Sequence, residues 1–213
     1  MTSKIVIVGI TNMKEDRICI SGYDLNRSRF LRPLLPYCHI TIDFLNRFNK
    51  TISLGSVVDL ELIGNFKSGN KPHCEDVDIN PQSVSIVDGM TKKDFKQFLL
   101  TVSDICLEDI YGNDLELIKG QPVVPEGAGL RSLGVIVCRR CTTYKSHLGR
   151  IRCDIVDKSG GEYRNIPVVA RDEWAKPIGE FRDVPIRMGL SRLWKKDDME
   201  EPYYWVHVSA LIV

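Results

Sequence analysis

Short runs in which apolar and polar residues alternate recur along the 213-residue chain. That period of two turns one face of a strand inward and the other outward. In the first part it predicts strands over residues 4–10, 17–24, 29–34 and 56–63, with a shorter one over 83–87. Ile40, Phe44, Leu45 and Phe48 fall at helical spacing, so a short helix is expected over 39–48. Residues 65–82 hold glycine, two prolines and many polar groups, and read as a long loop. Thr91, with an acid three residues later, caps a helix to about residue 101. A second helical piece follows over 103–111. Gly112, Gly120, Pro122, Pro125, Gly127 and Gly129 then break the chain into a linker.

A second run of strands begins with the apolar 133–141 segment. After a connector at 142–149 comes RIRCDIVDKSGGEYRNIPVV, residues 150–169, two strands reversing at Gly160-Gly161. Ile151, Cys153 and Ile155 lie on one face, and Arg150, Arg152 and Asp154 on the other. One helical turn at 171–175, a strand within 181–190, a charged loop at 191–201 and a final strand over 203–213 complete the chain. Trp174, in that turn, is expected to plug a barrel end.

Both halves can be written in one order: strand, connector, hairpin, helical turn, strand, loop, strand. Val6-Ile7-Val8 recurs as Val135-Ile136-Val137, and Arg17-Ile18 as Arg150-Ile151. Five strands with the helix between the third and fourth is the layout of the OB-fold, a small Greek-key barrel. The expected fold is therefore mainly β: two tandem OB-like five-stranded barrels, 1–88 and 130–213, with a short helical arm over 89–129. OB barrels bind oligonucleotides across strands two and three and the loops beside them. In the second barrel those loops carry Tyr144-Lys145 and Trp194-Lys195-Lys196, and the outer strand faces carry Arg150, Arg152, Tyr163 and Arg164. Aromatics that stack on bases, beside cations that neutralise phosphates, suit single-strand binding. Arginine also decorates barrel exteriors and pairs with neighbouring acids. The nine residues are thus candidates for an interface with single-stranded DNA or RNA.

The segments RICISGYDLNRSRFLRPL and RIRCDIVDKSGGEYRNIPVVARDEW, with the ending MGLSRLW…YYWVHVSALIV, resemble the dual OB-containing domain family of prokaryotic proteins. The resemblance spans nearly the whole chain and implies two tandem OB-like barrels, nucleic-acid binding and no defined catalytic residues. Leu193 stands where the family pattern has a proline before Trp194.

Composition narrows the rest. Apolar residues at 43% and charged residues at 27% describe an ordinary globular chain. No apolar run approaches a membrane span, and the first residues lack a secretion-signal pattern. Seven cysteines, an odd number set partly in apolar runs, suit a reducing compartment. A cytoplasmic protein is expected. The net charge of +1 hides 14 Lys+Arg against 17 Asp+Glu in residues 1–129, and 15 against 11 thereafter. The second half is the better place for a polyanion to dock.

Cys138-x-x-Cys141 has metal-like spacing, with His147 and Cys153 as candidate completions, but a structural zinc takes four ligands and one pair is present. The acids Glu75, Asp76, Asp78, Asp197 and Asp198 read as solvated loop residues, and His207 as an ordinary surface or edge residue. No phosphate-binding glycine loop, dinucleotide fingerprint or nucleophile elbow occurs. A non-enzymatic protein without cofactor, metal or small-molecule substrate is expected. The alternative is a protein-interaction or scaffold subunit of a prokaryotic defence or mobile-element complex.

Overall fold

The computed structural model describes residues 2–47, 51–197 and 199–213. The chain is mainly β, and its first part closes into a barrel. Its strands are β1 (Thr2–Asn12), β2 (Ile18–Asp24), β3 (Arg29–Leu34), β4 (Ser56–Ile63) and β5 (Asp76–Gly89), with α1 (Ile42–Asn46) between β3 and β4. The order around the barrel is β1-β2-β3-β5-β4, and β3 runs parallel to β5. This is the expected OB-like layout. Ile5, Ile7, Leu31, Val58, Leu60, Val77 and Ile79 fill its interior. Burial of each contributes roughly 1.5–3 kcal/mol. The predicted helix shrinks to Ile42–Asn46, capped by Thr41 Oγ1, and Phe48 lies outside the described residues.

The 65–82 stretch departs from expectation. Its end is the start of β5, a 14-residue strand. Glu75 and Asp76 are only 2% exposed, so they are not solvated loop acids.

The arm begins as expected with α2 (Lys92–Thr101), where Thr91 Oγ1 accepts from the Asp94 amide at 3.2 Å, and α3 (Leu107–Tyr111) follows. The predicted linker then forms a hairpin of β6 (Glu116–Ile118) and β7 (Gln121–Pro125). Lys119 and Gly120 both take positive φ, which closes the two-residue turn.

The second part holds β8 (Leu133–Cys138), β9 (Arg140–Lys145), β10 (Ile151–Val156), β11 (Glu162–Pro167), a single 3-10 turn at Glu173–Ala175, β12 (Gly179–Phe181), β13 (Val184–Leu190) and β14 (Tyr203–Leu211). The expected second closed barrel is not what these strands form. They make two open sheets, β11-β10-β9-β12 and β6-β7-β14-β13-β8. The predicted 133–141 strand breaks at Arg139, so β8 pairs with β13 while β9 pairs with β10 and β12. A parallel seam between third and fifth strands, which would close a barrel, shrinks here to one bridge, Val168 to Val208, just beyond β11. Trp174 is 39% exposed, with the Lys92 ammonium 5.6 Å from its ring, and is not the expected buried plug; its neighbour Ala175 is buried instead.

The outer face of β2 and β3 in the barrel is covered by the rest of the chain. Tyr23 meets Phe98 of α2 edge-on, with ring centroids 5.6 Å apart, and the Arg187 guanidinium lies 6.0 Å from the Phe30 ring. Gly9 permits the approach of β14, since a Cβ there would stand 2.5 Å from Ser21 Oγ and 3.1 Å from Ser209 Oγ. The joint is charged. Arg32 Nη1 donates to Asp76 Oδ1 at 2.7 Å, and Nη2 to Ser132 Oγ at 3.0 Å. Glu75 Oε1 accepts from the amides of Ser132 and Leu133, at 2.7 and 2.9 Å. Arg192 Nη2 reaches Asp76 Oδ2 at 3.1 Å.

Removing one partner of a buried ion pair leaves an uncompensated charge. Arg32→Met is therefore expected to cost about 3–5 kcal/mol of stability, read by chemical denaturation.

His73 sets a pH dependence. Its Nδ1 faces Arg32 Nη1 at 2.9 Å. Burial, then the Arg32 and Arg192 cations, lower its pKa from 6.5 to about 3. The unfolded chain takes up this proton below pH 6.5 and the folded chain does not until about 3. The stability His73 contributes is therefore complete above 6.5 and is lost as pH falls from there toward 3. Denaturation midpoints measured from neutral to mildly acidic pH are expected to fall, and less steeply in His73→Gln.

Candidate nucleic-acid interface

The four-stranded sheet leaves one face to solvent. Register places Tyr144 opposite Arg152 and Thr142 opposite Asp154 on β9 and β10. Val156 stands between Arg140 on one side and Glu162 on the other. A bulge between Cys153 and Ile155 shifts the β10–β11 register. Asp154 Oδ1 fills it, accepting from the Asn165 amide at 2.7 Å and from the Tyr144 hydroxyl at 3.0 Å. Burial, and then this bond to Asp154, raise the Tyr144 pKa. Arg152 Nη1 donates to Asn165 O at 3.1 Å.

Tyr144 and Lys145 were expected in a loop; both lie on β9, and the connection to β10 is the short 146–150 turn. Lys145 has the strand parity of the inward-facing Thr143 and stands exposed at the sheet's end. Arg150 is exposed at the start of the hairpin, and Arg164 is exposed on β11 with Glu162 3.6 Å away.

Tyr163 does not belong to the open face. It pairs with the inward Ile155 and is 3% exposed. Its hydroxyl donates to Glu108 Oε1 at 2.9 Å, which ties β11 to the arm. Burial and the Glu108 bond push its pKa up.

The 191–201 loop bends back onto β14, with Trp194 and Tyr203 bonded through their backbones. Trp194 is 57% exposed. Its ring lies 6.2 Å from that of Trp205, whose Nε1 donates to Trp194 O at 3.1 Å. Lys196 is already engaged: Nζ sits 3.2 Å from the Trp205 ring centroid and 3.3 Å from Gln121 Oε1. Lys195 is exposed. Lys196 and Asn165 line one groove of about 180 Å³, with Ile118, Lys119, Gln121 and Met199. The 191–201 loop thus adjoins β11 at Asn165, while Arg152 reaches the Asn165 carbonyl directly and Tyr144 is linked to its amide through Asp154.

A second groove of about 280 Å³ lies over β9–β12, among Arg140, Thr142, Asp154, Val156, Glu162, Arg164, Glu180 and Arg182, with the buried Ile155 and Tyr163 at its floor. Arg140 and Arg182 were not among the sequence candidates. Arg140 shares the parity of Thr142 and Tyr144, but that signal appears only once the strand restarts after Arg139.

Cys138, Cys141 and Cys153 are all buried. Contact with Cys141 and burial push the Cys138 thiol well above its usual range. Cys106, Glu108 and Asp157 bring a thiol and two carboxylates within 4.8 Å of one another. Asp157 there accepts from Ser159 Oγ at 2.7 Å and the Gly161 amide at 2.8 Å, and so fixes the hairpin turn. Of the remaining candidates, Asp78 is 3.2 Å from Lys67, and Asp198 lies outside the described residues. His207 is partly buried, and burial with Arg187 and Arg32 nearby lowers its pKa to about 3. It is not an ordinary surface histidine.

No protein-family model and no curated protein matches the chain. Solved structures similar to the chain include these two. One is the crystal structure of the tetrameric p202 HIN2, at 14% identity over 98% of this chain and 91% of that one, TM-score 0.31. The other is a murine DNA binding protein bound with ds DNA, at 11% identity over 99% and 96%, TM-score 0.29. Likeness at that level decides neither fold nor activity. Among the described residues, no helix is long and apolar enough to cross a membrane.

Tyr163→Phe removes the hydroxyl bond to Glu108. It is expected to lower stability by about 1.5–3 kcal/mol, the range for a bond to a charged group, read by denaturant titration.

Proposed function

We propose that the protein binds single-stranded nucleic acid, without catalysis, through the open face of its second part. The chain is then two OB-like units, 1–88 and 130–213, joined by the 89–129 arm. The observation that carries this reading is an asymmetry between equivalent faces. The β2–β3 face of the barrel is used up in the joint, where Phe30 and Arg32 are 4% and 5% exposed. The β10–β11 face, second and third in its own unit when β8 and β9 are counted as one broken strand, stays open and presents Tyr144, Arg152 and Arg164.

In this reading Tyr144 and Trp194 stack on bases, while Arg150, Arg152, Arg164 and Lys195 meet phosphates. Lys145 and Lys196 flank the path, the latter held by Trp205 and Gln121. Tyr163 is withdrawn from the contact set by its burial. The scaffold reading keeps one supporting observation: Leu148 and Leu117 are 68% and 54% exposed. Co-purification of a stoichiometric protein partner that masks the 191–201 loop would favour it.

The test is fluorescence anisotropy with labelled single-stranded DNA, RNA and duplex DNA at two salt concentrations. Single strands are expected to bind, and more weakly as salt rises. Trp194→Ala is expected to cost about 1–3 kcal/mol of affinity, as for loss of one stacking platform. Failure of DNA and RNA alike to bind at low salt overturns the proposal.

A further inference from the structure

The groove over β9–β12 differs from a simple phosphate track. Three arginines, Arg140, Arg164 and Arg182, share its rim with three carboxylates, Asp154, Glu162 and Glu180. Phosphates are repelled by carboxylates, so a surface meant only for a backbone gains nothing from them. Asp154 is spent on Tyr144 and Asn165. Glu162 and Glu180 are exposed, as are all three arginines. Arg140, Arg182 and Glu180 make no side-chain hydrogen bond or ion pair among the described residues, and Arg164 stands only loosely beside Glu162, at 3.6 Å.

The register arranges these groups around an apolar seat. Val156 lies directly between Arg140 on β9 and Glu162 on β11. Strands are about 4.8 Å apart, so the two backbones flanking Val156 are separated by roughly 10 Å. A flat base resting on Val156 would have a guanidinium on one side and a carboxylate on the other.

Only one common base fits that polarity on both edges. Guanine offers two adjacent donors on its Watson–Crick edge, N1–H and N2–H, which a carboxylate accepts together. It offers two adjacent acceptors on its Hoogsteen edge, O6 and N7, the commonest target of a bidentate arginine. Adenine and cytosine place a ring acceptor where the carboxylate would sit. Thymine and uracil have a single donor between two carbonyls. Unstacked bases in single strands expose both edges for such reading.

We propose that this groove is a guanine-selective subsite, with Glu162 on the Watson–Crick edge and Arg140 on the Hoogsteen edge. Arg182 and Arg164 meet the flanking phosphates. The subsite rests on the nucleic-acid reading above and adds base preference to it.

Anisotropy with a labelled all-thymine strand, and the same strand carrying guanines, tests it. The guanine strand is expected to bind at least about fivefold tighter, the lower bound for one good bidentate pair. Replacing guanine by inosine, which lacks the N2 amino group, is expected to remove most of that gain. Glu162→Gln and Arg140→Met should each abolish the preference, the guanine strand losing more affinity than the thymine strand. Both positions are exposed, and circular dichroism checks that the variants fold. If the wild type binds thymine and guanine strands equally, the subsite is wrong and the nucleic-acid reading stands. If neither strand binds, both fall together. Equal loss of affinity for both strands in the two variants would also overturn the subsite, marking those residues as general contacts.

Discussion

The two parts of the chain are held in one arrangement by a buried charged joint. Arg32, Asp76 and Glu75 are each 5% exposed or less. Burying such groups is costly unless every charge is paired and hydrogen-bonded. Here Asp76 receives two arginines, one from each side of the joint, and Glu75 accepts from two backbone amides of the Ser132-Leu133 segment. An arrangement with the second part displaced would strand these charges, so the joint specifies one relative placement. Arg187 shows the margin. It is 1% exposed with Nε and Nη1 unpartnered, and burial lowers its pKa to about 10.

That placement decides which faces stay open. An OB-like barrel has one favoured ligand face, and in the barrel of this chain that face is covered by α2, β13 and β14. The arm is more than a connector for the same reason. Tyr111 of α3 is fully buried. Ile110 packs on Gly134, where a Cβ would stand 2.5 Å from its side chain. Glu108 receives the Tyr163 hydroxyl. The arm thus clamps the β10–β11 hairpin from behind and leaves its other face outward.

The outward face carries both signs of charge in close alternation. Such a surface attracts a polyanion less strongly at long range than a purely basic one, in keeping with the near-neutral chain. It suits donors and acceptors that must meet particular partners. Position in the sheet, rather than net charge, gives the arginines of β9, β11 and the β12 end their common groove.

Local periodicity determined much of this protein. The β1–β4 strands, the Thr91 cap and the 150–169 hairpin follow from alternation, turn residues and capping, which act between near neighbours. Tertiary structure alone decided which polar groups are buried. Glu75 and Asp76 look like loop acids until Arg32, more than forty positions away, and Arg192, more than a hundred away, are brought to them. Tyr163 follows an exposed acid and looks like a surface aromatic until the register shift and Glu108 turn it inward. The same holds for Arg140 on β9 and Arg182 just beyond β12, which only the pairing of those two strands brings together. Side-chain period is written in a few consecutive residues. The partner of a buried charge, and the closure or opening of a sheet, depend on segments distant in sequence, and only the folded chain brings them together.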